Sequence, residues 1–141
     1  MYEKYTRQAL PSKKYRELLG SALCVFNSNN AFIIENILRE DISQKYNWWD
    51  LIDKTSGQLS ASIEDTIVAK AGPEIARCFK CITEIRNRII HSFQITDGSN
   101  EQRLASKYKD GHQEIITEEY LYEFIQLNEF LSSKLHELRG Y

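Results

Sequence analysis

Only two prolines and six glycines interrupt a chain of 141 residues. A backbone with so few places to turn favours long helices over a sheet of many strands. Most of the chain carries apolar residues at helical spacing. Ser12 follows Pro11 as a helix N-cap, and Tyr15, Leu18, Leu19, Ala22, Val25 and Phe26 recur on one face. Ile33, Ile37 and Leu38 resume the pattern after NSNN (27–30), so one helix reaches about Glu40, with a bend or break expected at the asparagines. Trp48, Trp49, Leu51 and Ile52 read as a short turn capping the core.

A second helix runs through Leu59, Ile63, Ile67 and Val68 and stops at Ala71-Gly72-Pro73. Glycine suits the left-handed residue after a helix, and proline suits the first turn of the next. The spacing predicts a third helix from Pro73 to about Ile95, then a loop at TDGSN (96–100). Asp110-Gly111 lies between two short extended runs of RLASKYKDGHQEIIT (103–117), which marks a small β-hairpin. Thr117 can cap a last helix whose Leu121, Phe124, Ile125, Asn128, Leu131, Leu135 and Leu138 form a heptad-like seam. The expected fold is therefore all-α: one domain over 1–141, an antiparallel four-helix bundle with a hairpin before the last helix.

With 42% hydrophobic and 27% charged residues the composition is that of a globular protein, not a disordered one. A net charge of -2 shows no basic surplus for nucleic acid, although a local cluster can act inside an acidic surface. No apolar run is long enough for a membrane span. The first residues, MYEKYTRQALPSKKY, hold no apolar segment of a secretory signal. Three cysteines without an export signal suggest reduced thiols and a cytoplasmic location.

The third helix, CFKCITEIRNRIIHSF, carries the candidate chemistry. Ile75, Phe79, Ile82, Ile89 and Phe93 share a stripe, and Arg86 stands in the middle of it. A charge is seldom taken from water without a partner. Glu84, Asn87, Arg88 and His91 lie along a polar face, where Asn87 and His91 have the i, i+4 spacing for a hydrogen bond that fixes an imidazole tautomer. Arg86 and His91 are five residues apart, roughly 140° around a straight helix. A joint site needs a reaching arginine, a distorted helix or a second copy of the chain. Each residue also has a purely structural account. Arg86 can snorkel to a carboxylate on another helix, Glu84 and Arg88 can form a surface ion pair, and His91 can cap.

RNRIIH (86–91) resembles the Arg-x4-His motif of the HEPN family, the "higher eukaryotes and prokaryotes nucleotide-binding" domains, in which the residue after the arginine is often polar, here Asn87. The resemblance implies a small all-α homodimer whose two motifs meet across a cleft. It also implies a metal-independent ribonuclease without cofactor, acting by attack of the RNA 2′-OH on the adjacent phosphate. A toxin or phage-defence role with an antitoxin or other regulatory partner goes with it. His91 then moves protons, Arg86 steadies phosphate charge, Asn87 orients the histidine or contacts phosphate, and Arg88 and Lys80 attract the RNA backbone. Some family toxins carry a tyrosine two residues after the histidine, which a partner modifies. This sequence has Phe93 there, which counts against that kind of regulation and leaves the ribonuclease chemistry untouched.

Other features compete. Cys78 and Cys81 form a CxxC, but Cys24 is the only other cysteine, short of a zinc set, and no thioredoxin-like context surrounds them. Tyr120, Tyr122 and Phe124 can stack on bases or belong to the core, and Trp48 and Trp49 can mark an interface or plug the bundle. A non-catalytic helical dimer that binds a nucleotide or a protein is the alternative function.

Overall fold

In the computed structural model, which describes residues 1–140, Ser12 caps α1 (Lys13–Glu40) by accepting the Tyr15 N–H at 3.2 Å. The helix is unbroken at the asparagines because their amides find tertiary partners. Asn29 turns inward to Asn128 on the last helix, and Asn30 accepts the Ser56 hydroxyl at 2.6 Å. α2 (Trp48–Ile52) buries only Leu51 completely; Trp48 is half-buried and packs against the core, while Trp49 is 76% exposed.

The next helix, α3 (56–71), is irregular: a 3₁₀ turn Ser56–Leu59, an α turn Ser60–Ile63, a π turn Glu64–Val68 and a last α turn Ala69–Ala71. Ser62 donates to the Leu59 carbonyl and Thr66 to the Ser62 carbonyl, side-chain bonds of the kind that bend helices. Gly72 ends it with φ +87°, a conformation that only glycine adopts freely. α4 (Glu74–Ile90) and α5 (Glu118–Arg139) follow, the latter capped by Thr117, which accepts the Tyr120 N–H at 3.0 Å.

The all-α expectation fails between α4 and α5. α4 stops at Ile90, short of Ile95, where the His91 N–H bonds the Asn87 carbonyl and the Ser92 hydroxyl takes the Ile89 carbonyl. The chain then forms β1 (Phe93–Thr96), which pairs antiparallel with β2 (Gln102–Lys107), itself paired with β3 (Gln113–Ile116). The fold is mostly helical with a three-stranded antiparallel sheet, not a four-helix bundle with a hairpin. Phe93, spaced to extend the helix stripe, instead sits with Ile95 on a strand, paired with Ala105 and Arg103 respectively.

Phe26 of α1 lies between Phe79 of α4 and Phe124 of α5, with ring centroids 6.2 and 6.3 Å away, and so joins the three long helices. The sheet is fastened to α1 through Tyr15. Its hydroxyl donates to the Ile116 carbonyl at 2.6 Å and accepts the Leu104 N–H at 3.1 Å. No helix among the described residues is long and apolar enough to cross a membrane.

Candidate functional site

α4 presents its outer wall to α3, and a groove runs between them. Its wider part, about 530 Å³, is floored by Ile63, Phe79 and Ala76 and carries Arg77, Lys80, Thr83 and Asn87 on the α4 side. A second hollow of about 380 Å³ is lined by Thr55, Gly57, Arg86, Asn87, Ile90 and His91. Gly57 and Asn87 border both, so the two hollows adjoin. His91 keeps the helical N–H bond to the Asn87 carbonyl at 3.0 Å, so it stays roughly 140° around the helix from Arg86, and both residues border the second hollow.

Arg86 is half-buried, and its guanidinium lies 4.7 Å over the Phe26 ring. No carboxylate pairs with it among the described residues, contrary to the expectation for a snorkelling arginine. Burial pulls its pKa below the ordinary arginine value. Its Nε is buried with no hydrogen-bond partner. Among the described residues three other buried side-chain atoms share that condition: Asn36 Oδ1, Thr83 Oγ1 and Arg139 Nε. Asn36 still bonds the Phe32 carbonyl through its amide nitrogen, and Arg139 pairs with Glu35 at 3.6 Å. Thr83 and Arg86 stand apart from these, three residues from one another on one helix and each facing part of the same groove.

His91 is exposed and forms the C-cap of α4. The side-chain bond expected between Asn87 and His91 is not formed; a backbone bond of 3.0 Å joins the two residues. Arg88 departs from the group altogether. Its guanidinium lies 4.9 Å over the ring of Tyr108, in a hollow lined by Lys107, Lys109 and Asp110 at the tip of the β2–β3 hairpin. The expected Glu84–Arg88 ion pair is absent among the described residues, since Glu84 faces the groove and Arg88 the hairpin. Lys80 joins the groove, one turn and a half from Arg86. The structure thus brings together Arg86, Asn87 and His91, places Lys80 beside them, and sends Arg88 elsewhere.

Sequence reasoning passed over Arg77 and Thr83 in the groove, and Lys107 and Lys109 at the hairpin tip. Thr83 was open to detection, as a polar residue in the apolar stripe like Arg86. The alternating Lys-Tyr-Lys of 107–109 was a comparable signal.

The thiols are unpaired, with Cys24 and Cys81 exposed and Cys78 half-buried. Burial, with Cys81 and Glu74 nearby, pushes the Cys78 thiol up to about 11, which leaves it protonated and a poor nucleophile at neutral pH. No protein-family model matches the chain, and searches of curated proteins and of solved structures find no match either.

Proposed function

We propose that the chain is a metal-independent endoribonuclease of HEPN type, acting on RNA at the junction of the two hollows. One observation supports this most: Arg86, Asn87 and His91 line a single cleft in which the arginine is withdrawn from water without a protein counter-charge. A phosphate diester supplies that charge, and a guanidinium offers it paired donors. In the proposed step the His91 imidazole takes the proton of a ribose 2′-OH, and the 2′ oxygen attacks the adjacent phosphorus. The bond from phosphorus to the 5′ oxygen breaks, and that oxygen takes up a proton. The ends are a 2′,3′-cyclic phosphate and a 5′-OH. Arg86 offsets the charge that builds on the phosphoryl oxygens. Lys80 and Arg77 attract the RNA backbone along the groove, and Arg88 with Lys107 and Lys109 does so at the hairpin.

The homodimer, the cytoplasmic setting, and the toxin or phage-defence role with a regulatory protein partner belong to the proposal through the family resemblance of RNRIIH. A second reading has an observation of its own. Arg86 stacked on Phe26 is also how a packing arginine sits in a non-catalytic binding module.

The deciding experiment is incubation of labelled total RNA and tRNA in EDTA with wild type, Arg86→Met and His91→Ala, after matching their helicity and oligomer mass. Cutting by wild type alone, with cyclic-phosphate ends, is the expected result. If no RNA is cut by any of them, the binding module replaces the ribonuclease.

A further inference from the structure

Thr83 is 6% exposed, and its hydroxyl has no partner among the described residues. The same chain shows what a buried helical threonine ordinarily does: Thr66 donates to the carbonyl four residues back, at 2.6 Å. Thr83 forgoes the corresponding bond to Phe79, and its side chain lines the groove with its donor and acceptor capacity unused among the described residues. Leaving such a group unsatisfied costs about 1–3 kcal/mol, and a ligand that bonds it removes that cost.

The surroundings narrow the ligand. Behind Thr83 the floor is apolar, with Ile63 and Phe79 each 3% exposed. The rim mixes Arg77 and Lys80 with Glu64 and Glu84, so donors and acceptors alternate and no single charge prevails. That suits a flat group with apolar faces and a polar edge better than it suits a phosphate. The volume of about 530 Å³ falls in the range of small-molecule sites. One turn further on, Asn87 marks the passage to the hollow of Arg86 and His91.

We propose that the wide part of the α3–α4 groove is a nucleobase pocket, in which Thr83 bonds the base edge and Asn87 marks the passage to the phosphate at Arg86. This rests on the ribonuclease reading for the phosphate's place, and Thr83 then sets which base precedes the cut.

Calorimetric titration with the four 2′-deoxynucleoside 3′-monophosphates, which lack the attacking hydroxyl, tests the pocket without requiring turnover. Inorganic phosphate is the reference ligand. Wild type should bind at least one nucleotide more tightly than phosphate. Thr83→Val, which keeps the shape and removes the hydroxyl, should weaken that nucleotide about tenfold, the worth of one hydrogen bond. Ala76→Trp, which fills the floor, should abolish the preference and leave phosphate binding in place. Nucleotides that bind no better than phosphate, or a Thr83→Val protein that binds them as wild type does, would overturn the pocket. RNA cleavage alongside such a result would leave the ribonuclease standing without it. Threonine-dependent nucleotide binding with no cleavage would keep the pocket and remove the ribonuclease.

Discussion

Asn29 and Asn128 lie in the seam between α1 and α5, while Thr83 and Arg86 lie on the wall of α4; all four are polar groups drawn away from water. In the seam the polarity closes on itself. Asn29 donates to both the backbone and the side-chain oxygen of Asn128, at 2.8 and 3.0 Å, and Asn128 donates to the Phe124 carbonyl at 3.0 Å. On the groove wall it stays open, with Thr83 Oγ1 and Arg86 Nε unpartnered. Both regions rest on Phe26, which stacks against Phe124 and also carries the Arg86 guanidinium over its ring. A closed pair specifies which helix faces fit together, and an open pair leaves binding energy for something else.

This contrast breaks most visibly in activity. Arg86→Met should lower RNA cleavage by about 100- to 1000-fold, the usual effect of removing a donor to developing charge. Its unfolding midpoint should stay near wild type, because no carboxylate among the described residues pairs with the cation and methionine can keep an apolar contact with Phe26. If cleavage persists while the midpoint collapses, Arg86 belongs with the seam. Next in size, Asn29→Leu should destabilise the fold by about 1–3 kcal/mol in urea titration, since Asn128 loses its donor, with cleavage by the folded fraction unchanged. Thr83→Val should raise stability by about 1–3 kcal/mol, because it removes a buried hydroxyl that has no partner among the described residues.

Cys78 supplies the smallest effect. Its folded pKa of about 11 lies above the ordinary thiol value of 9.0. Between those values the unfolded chain releases the proton and the folded chain keeps it. Its contribution to stability is therefore complete below pH 9 and is lost as the pH rises toward 11. Cys78→Ala should flatten that slope in pH-dependent unfolding, and at pH 7.5 iodoacetamide should label Cys24 and Cys81 before Cys78.

How far the sequence foretold this differs from element to element. α1 and α5 were legible because Ser12 and Thr117 are caps and the apolar seam behind each is long. The end of α4 was not. Ile89 and Phe93 fit a helical spacing while Phe93 and Ile95 fit an alternating one, and what decides for a strand is pairing with residues 102–107, which no local pattern displays. The motif was legible as a hexapeptide, but its cleft also needs Thr55 and Gly57, which no local pattern brings to it. Arg88 was misplaced because one polar face of α4 meets two neighbours, the groove and the hairpin tip. Thr83 was visible as a polar residue beside the apolar stripe, but its missing hydrogen bond has no sequence signature.

The Tyr15 hydroxyl has a consequence for the order of events during synthesis. Its two partners stand 89 and 101 residues further along the chain. Helix α1 can coil soon after it is made, but its first turn cannot be fastened to the sheet until residue 116 has been added. The earliest long helix therefore waits for nearly the whole chain, and contacts of such long range make folding slower than local helix pairing alone would.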